Sequence, residues 1–433
     1  MKKYFVLCVL VILFGCKQDR SEQNDIVDTQ DDVTVCIFCD DEWWANPIAI
    51  IEDSKVNLIW NKPPPICAER LNLSEFTFNI YVSENNRFNF QKLIEINNDE
   101  NYSYTVDKLQ NGNSYFFYIV SNRNGFEPLY SDTIMAVPNK RKEFETLLAN
   151  YSSCPLGFSI ARQKNKITYF DVDFSLNGGS DLYMSNLDGS EKELLFKTTA
   201  NSGNPRWSPT NGKITFYTAY PAQRGIVSYS IPVIELYDFK TESIMQLTTK
   251  NESSVSPVFS ENGELLLFVS TKPHDSYEGI LGNIWLKNLI TDDLFQITDF
   301  SKTSIICDHL CWIDNDRFLF HGRYFHDVYH IGEYQLFESS VSKKQITKVF
   351  ESRWNDYSPS ISPDQRKIAF FSDRSGSNQV WIYHIDSKTY SQISPYSINE
   401  GVNQYLNIEW LDNSTIVFTI YDNHNHLIRQ RVE

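Results

Sequence analysis

Six of the eight histidines in this 433-residue chain, His274, His321, His326, His330, His424 and His426, fall in or beside a few short stretches. Neutral imidazole is a good ligand for zinc, copper or nickel. His326-Asp327-Val328-Tyr329-His330 is the densest of these stretches, and a spacing of four puts two imidazoles on the same side of a helical turn or of an extended strand. A third ligand could come from His424 or His426 if their loops converge. Without a metal, Tyr324, Phe325 and Tyr329 offer an aromatic platform for a sugar ring or a protein side chain. His274 joins them as a candidate ligand-binding residue. His326 and His330 are the candidate metal ligands, for a possible divalent metal and no other cofactor. The plainer reading is that His and Tyr simply tolerate partly exposed loops.

Other chemistry leaves no signature: no nucleophile elbow, phosphate-cradling glycine loop or His-Glu-x-x-His zinc motif is found. Cys36-Ile37-Phe38-Cys39 could be redox-active or half a zinc site. No thioredoxin-like pattern follows it and no second cysteine pair has matching spacing, which favours a structural disulfide. Cys67, Cys154, Cys307 and Cys311 add further thiols whose connectivity the spacing leaves open.

The elements that would carry these residues are short strands in a repeat. An apolar anchor followed eight or nine residues later by an aromatic recurs at Ile160/Tyr169, Trp207/Phe216, Phe259/Phe268, Trp312/Phe320, Ile361/Phe370 and Trp410/Phe418. Successive anchors lie 47, 52, 53, 49 and 49 residues apart. A second echo, Gln246-Leu247-Thr248, Gln296-Ile297-Thr298, Gln345-Ile346-Thr347 and Gln392-Ile393-Ser394, keeps the same register. The unit from Tyr357 to Ser394 reads as four antiparallel strands, at Ser360–Ser362, Lys367–Ser372, Val380–Ile385 and Tyr390–Ser394. Such a unit cannot bury both faces alone and must stack on copies of itself. The last unit lacks a fourth strand, so an unpaired edge would remain unless 144–150 supplied it. The candidate residues belong to connections between second and third strands, of which Thr218 to Pro232 and Thr271 to Gly282 are long. Binding concentrates in such loops.

Trp207-Ser208-Pro209 with Asn211-Gly212-Lys213, and Ile361-Ser362-Pro363-Asp364 with Ser372-Asp373-Arg374-Ser375-Gly376, resemble the TolB-type (WD-type) repeats of bacterial β-propellers. Units four and six depart from that pattern, with Ile313-Asp314-Asn315-Asp316 and Leu411-Asp412-Asn413-Ser414. Upstream, Asn46 to Pro138 reads as seven short strands and is similar to a fibronectin type III domain, with Trp60 as its core tryptophan and Tyr115 as its tyrosine corner. Asn139-Lys140-Arg141-Lys142 reads as a basic hinge. The expected fold is all-β: a fibronectin type III-like sandwich over 46–138, a linker and closing strand over 139–154, and a six-bladed propeller of four-stranded blades over 155–433. These resemblances speak for fold more than for function. Propeller peptidases of related repeat type carry a hydrolase domain after the last blade, so a peptidase is not expected.

Lys2-Lys3, the apolar run Tyr4 to Phe14 and Leu13-Phe14-Gly15-Cys16 look like a lipoprotein signal peptide over 1–15 and a lipidation site at Cys16. Lys17, rather than Asp, follows that cysteine, which among lipoproteins implies the outer membrane, facing the periplasm or the surface. The polar, acidic stretch over 16–45 then serves as a tether. A net charge of −16 argues against nucleic acid or an anionic membrane surface as partner, leaving membrane attachment to the lipid. Two function classes follow. One is a non-catalytic binding or scaffold lipoprotein whose propeller face engages a protein or glycan. The other is a metal-assisted carbohydrate-active enzyme such as an oligouronide lyase, for which Arg323 is the basic residue near the histidines.

Overall fold

The computed structural model describes residues 47–60, 76–97, 102–140, 144–148, 157–161, 165–172, 179–271, 282–300, 305–393, 407–421 and 425–432, apart from 124, 126, 211, 225–226 and 328–329. The signal peptide, Cys16, the tether, Cys36, Cys39, Cys67, Cys154, His274, Tyr329 and His424 lie outside them. Every regular element among the described residues is a strand. They divide into two compact units, one taking in Lys142–Phe371 and Ile398–Glu433, the other residues up to Arg141 together with Ser372–Ser397.

Six sheets follow the repeat. Successive sheets begin at Phe158–Ala161, Asn201–Trp207, Ser253–Phe259, Ile305–Trp312, Asp356–Ile361 and Ile408–Asp412, and each runs outward in chain order. Each of these first strands touches the first strand of the next sheet, and the last touches the first, so the six close into a ring. The sixth sheet takes its outermost strand from Phe144–Leu148, which pairs antiparallel with Asn425–Arg431. This pairing leaves no open edge where the ring closes. The chain is thus an all-β propeller of four-stranded blades.

The two sequence echoes have local physical reasons. In blades two, three and five a serine hydroxyl closes the first hairpin by accepting from a backbone amide five residues on: Ser208 from Lys213 at 3.2 Å, Ser260 from Leu265 at 3.0 Å and Ser362 from Lys367 at 3.0 Å. Where the motif departs, a carboxylate takes over. Asp314 accepts from the Arg317 amide at 2.8 Å in blade four, and Asp412 from the Ser414 amide at 2.7 Å in blade six. The threonine of the Gln-x-Thr echo accepts from the third strand's edge amide, Thr248 from Ile234 at 2.9 Å and Thr298 from Ile284 at 2.8 Å. These bonds satisfy amides where pairing ends. Between blades, aromatics fill the gaps, as where Phe170 meets Phe216 at 5.5 Å and Phe300 meets Phe320 at 5.9 Å.

Several boundaries differ from the sequence reading. The first strand of blade five begins at Asp356 and ends at Ile361, because the residues before Ser360 already pair. The Thr218–Pro232 segment is not a loop but the far half of a hairpin, Lys213–Arg224 against Val227–Asp238, zipped to the Arg224 and Val227 pair. Alternating Tyr, Ser and Val suit extension, and pairing satisfies the inward-facing backbone groups that a loop would leave to water. Cys307 is buried, and Cys311 Sγ accepts from the Ile361 amide at 3.5 Å.

In the smaller unit, one three-stranded sheet and one five-stranded sheet enclose a core containing Trp60, Phe78, Phe117 and Ile119. Trp60 meets Phe78 at 5.5 Å, and the Tyr115 hydroxyl accepts from the Gln110 amide at 3.0 Å. Among the described residues eight strands lie between Ile48 and Ala136. The last is split at Ser131, whose hydroxyl accepts from the Ile119 amide at 2.9 Å and replaces a ladder bond. Residues 372–397 belong to the same unit. Ala49 N donates to Ser375 O at 2.8 Å and Met135 N to Arg374 O at 2.6 Å. Gly376 has φ +87°, and a Cβ there would lie 1.9 Å from Pro47 O, so only glycine fits. Arg374, buried at 1% exposure, lies over Tyr390 and Trp381 at 4.5 and 5.2 Å. Asn139, read as the start of a hinge, is held by its amide donating to Gln392 O at 2.7 Å.

Candidate functional site

His326 lies in Arg317–Asp327 and His330 in His330–Ile331, two strands that pair antiparallel with Asp327 opposite His330 and Phe325 opposite Ile331. The two histidines therefore lie on two paired strands rather than on a single turn or strand. Tyr324 is half-buried and its ring meets Phe337 edge-on at 6.1 Å, so it is part of the blade packing rather than a free platform. His426 opens the third strand of blade six, opposite Ile420. Among the described residues no three His, Cys, Asp or Glu side chains stand where they could share a metal ion.

The structure assembles a different cluster, at the ring of first strands. The residue three before each anchor, Gly157, Asn204, Ser256, His309, Ser358 and Asn407, occupies the same place in each blade. Gly157, Asn204, Ser256, His309 and Ser358 all have φ between 47° and 83°. In blades two, three and four the pairing register shifts at this place. A bulge that turns one residue into the left-handed region redirects its side chain, and for a non-glycine residue costs on the order of 1 kcal/mol or more. Such a cost repeated around a ring marks the places where backbone geometry is set for a purpose other than pairing.

Blade four carries the chemistry. Asp308 Oδ1 accepts from the His309 amide at 2.7 Å and from the Ser256 hydroxyl of the neighbouring blade. Its Oδ2 lies 3.7 Å from His309 Nδ1, and the Asp308 side chain is 41% exposed whereas that of His309 is 6%. The carboxylate is thus packed on one side and open on the other, as the wall of a channel is. The His309 ring stacks on His321 at 5.1 Å, and His321 Nδ1 accepts from the Ser358 amide of blade five at 3.1 Å. Tyr334 packs edge-on against His321 at 5.0 Å, with the Arg323 guanidinium 4.6 Å above the Tyr334 ring. Arg206 of blade two donates to Asn407 Oδ1 at 3.0 Å and Phe158 O at 3.1 Å and sits 3.6 Å from Glu409.

Electrostatics separate the groups. Burial pushes His321 down to about 3, with His309 and Arg323 adding to the push and Asp308 opposing it. Burial likewise lowers His309, against the pull of Asp308. Burial opposes ionisation of Asp308, but the two imidazoles, the Ser256 hydroxyl and the His309 amide outweigh it and hold the carboxyl below its ordinary value. At neutral pH the cluster is one carboxylate beside two neutral imidazoles. Two buried polar atoms here, His309 Nδ1 and Ser358 Oγ, have no hydrogen-bond partner among the described residues. A buried polar atom without a partner is uncommon in a folded protein and calls for an explanation.

Sequence reasoning passed over His309 and Asp308 because neither lies in a long connection. The signal was nevertheless present: Asn204, Ser256, His309, Ser358 and Asn407 recur in the anchor register, polar where an inner strand should be apolar.

No protein-family model matches the chain, and no curated protein matches it. Solved propeller structures are similar to it. TolB from Acinetobacter baumannii is 15% identical with a TM-score of 0.44, covering 75% of this chain and 77% of that one. An oligogalacturonate lyase in complex with manganese is 10% identical at 0.43, covering 67% and 93%. The β-propeller domain of the Trilobed protease from Pyrococcus furiosus is 10% identical at 0.42, covering 90% and 94%. The propeller fold assigned here rests on the chain's own sheets and its closed ring of first strands.

Proposed function

We propose that this protein is a non-catalytic binding or scaffold propeller of the cell envelope, anchored in the outer membrane by lipid at Cys16, that engages a protein or glycan at the inner ring. The sandwich serves as a fibronectin type III-like spacer, and nucleic acid is not a partner. One observation carries the binding role: an open carboxylate, Asp308, beside buried polar atoms that lack partners, His309 Nδ1 and Ser358 Oγ.

The same geometry speaks against turnover. A serine nucleophile needs a histidine between it and the carboxylate, and Ser256 instead donates directly to Asp308. His321 is neutral, and its Nδ1 lone pair is taken by the Ser358 amide. Arg323 does stand beside a histidine, but a guanidinium keeps its proton and acts as a charge or donor, not as a base.

Two measurements test the reading. Cys16→Ala should release the protein from membranes, and its persistence there after a high-salt wash would defeat the anchor. Binding of envelope proteins and of oligosaccharides, measured by calorimetry on wild type and on Asp308→Asn, should show at least one ligand whose affinity falls with the substitution. Ligands that bind both equally, or cleavage of uronic oligosaccharides on adding manganese, would refute the ring as a non-catalytic binding site.

A further inference from the structure

The unmet hydrogen bonds around Asp308 have a sign. Asp308 Oδ1 already accepts twice, which leaves Oδ2, on a side chain 41% exposed, with no hydrogen bond among the described residues. A neutral imidazole has one acceptor nitrogen, and Nδ1 of His309 stands 3.7 Å from that Oδ2, buried and without a partner. Ser358 Oγ, in the same ring position of the next blade, is a third polar atom able to accept. With hydrogen bonds of about 2.9 Å, one nitrogen bearing two or more N–H groups can reach two acceptors 3.7 Å apart.

Charge points the same way. Arg206 is occupied by Asn407, the Phe158 carbonyl and Glu409. Arg323 has one N–H without an acceptor, but its positive charge lies over the Tyr334 ring. Among the described residues no lysine or arginine pairs with Asp308, whose Oδ1 takes a hydroxyl and an amide and whose Oδ2 has only the His309 ring nearby. Water would meet the hydrogen bonds but would leave a carboxylate in a confined wall without a counter-charge.

We infer that the ring receives a primary ammonium group, bonded to Asp308 Oδ2 and His309 Nδ1, with Ser358 Oγ as a further acceptor. This rests on the binding reading above and deepens it. Occupation selects the tautomer of His309 that carries its proton on Nε2. The ligand is then either a lysine side chain of a protein or an amino sugar of a glycan, since both present the same charged amine.

The test uses the full chain and two pairs of probes by calorimetry at neutral pH. One pair is Nα-acetyl-lysine amide and its Nε-acetylated form. The other is glucosamine and N-acetylglucosamine. The expected result is binding by the free amine of one pair, at least tenfold stronger than its acetylated counterpart, and lowered at least tenfold by Asp308→Asn. Preference for the lysine probe identifies a protein source, and preference for glucosamine an amino sugar. Equal binding of free and acetylated probes that still depends on Asp308 overturns the ammonium inference and leaves the binding site standing. Binding indifferent to Asp308 overturns both, and no binding by any probe overturns the ammonium inference. Should Asp308→Asn not fold, the acetylation contrast in wild type decides alone.

Discussion

The blade-four hairpin and the inner ring hold histidines in opposite ways. In the hairpin, His326 and His330 are close in sequence but sit on two strands that run in opposite directions. In the ring, His309 and His321 are twelve residues apart in sequence, yet their rings stack at 5.1 Å because adjacent strands of one blade bring them side by side. The hairpin is a local extension of one blade. The ring position is part of the repeat itself, set by a bulge that recurs in neighbouring blades and by ring closure. Spacing along the chain is therefore a poor guide to which side chains meet in a sheet protein. Register across the ladder is the better one.

Breaking the ring as a whole should have the largest effect. A chain beginning at Pro155 loses the Phe144–Leu148 strand and exposes the edge of Asn425–Arg431. Loss of cooperative melting with aggregation is expected, whereas unchanged melting would mean that the ring does not depend on this closure.

Within the ring, Asp308→Ala removes the acceptor for two donors at once and should cost about 2–3 kcal/mol in urea unfolding. Replacing His326 and His330 together by alanine should leave the ring's ligand affinity unchanged. If the hairpin variant abolishes binding and Asp308→Ala does not, the comparison is inverted and the hairpin is the site.

The pH dependence sharpens the same contrast. His321 is held at about 3 in the folded protein against 6.5 in the unfolded chain, so below pH 6.5 the unfolded chain takes up a proton that the folded one refuses. Its contribution is fully present above pH 6.5 and is lost as pH falls toward 3, at up to about 1.4 kcal/mol per pH unit. His309 adds in the same direction. Unfolding free energies measured from pH 7.5 to 4.5 should fall for wild type and fall less steeply for His321→Gln. Equal slopes would remove the buried neutral imidazole from the account.

The smallest effect is expected at Ser358→Gly. The serine has φ 52° and its hydroxyl makes no bond among the described residues, so stability should change by no more than about 0.5 kcal/mol. Ligand affinity should nevertheless fall. A loss well beyond that would show that the hydroxyl supports the fold and not the ligand.

The repeat itself was legible in the chain. Anchor and aromatic in fixed register, together with the Gln-x-Thr echo, determine six sheets, because each signal marks a local hydrogen-bonding need: a serine or aspartate closing a hairpin, a threonine capping an edge. Even the departures in blades four and six follow locally, since an aspartate can accept where serine does.

What only the tertiary structure decided is which polar residues meet. Asp308, His309 and His321 come from two strands of one blade, Ser256 and Ser358 from the blades on either side. Their assembly depends on closing six sheets into a ring, in which a bulge adjusts the first strands of blades two, three and four and side chains are buried against neighbours about fifty residues away along the chain. The pairing of residues 372–397 with the sandwich is of the same kind, resting on backbone carbonyls of Ser375 and Arg374 that carry no side-chain signature. Periodicity records what each segment needs by itself, whereas a binding site arises from what segments distant in the chain leave unsatisfied once they have packed.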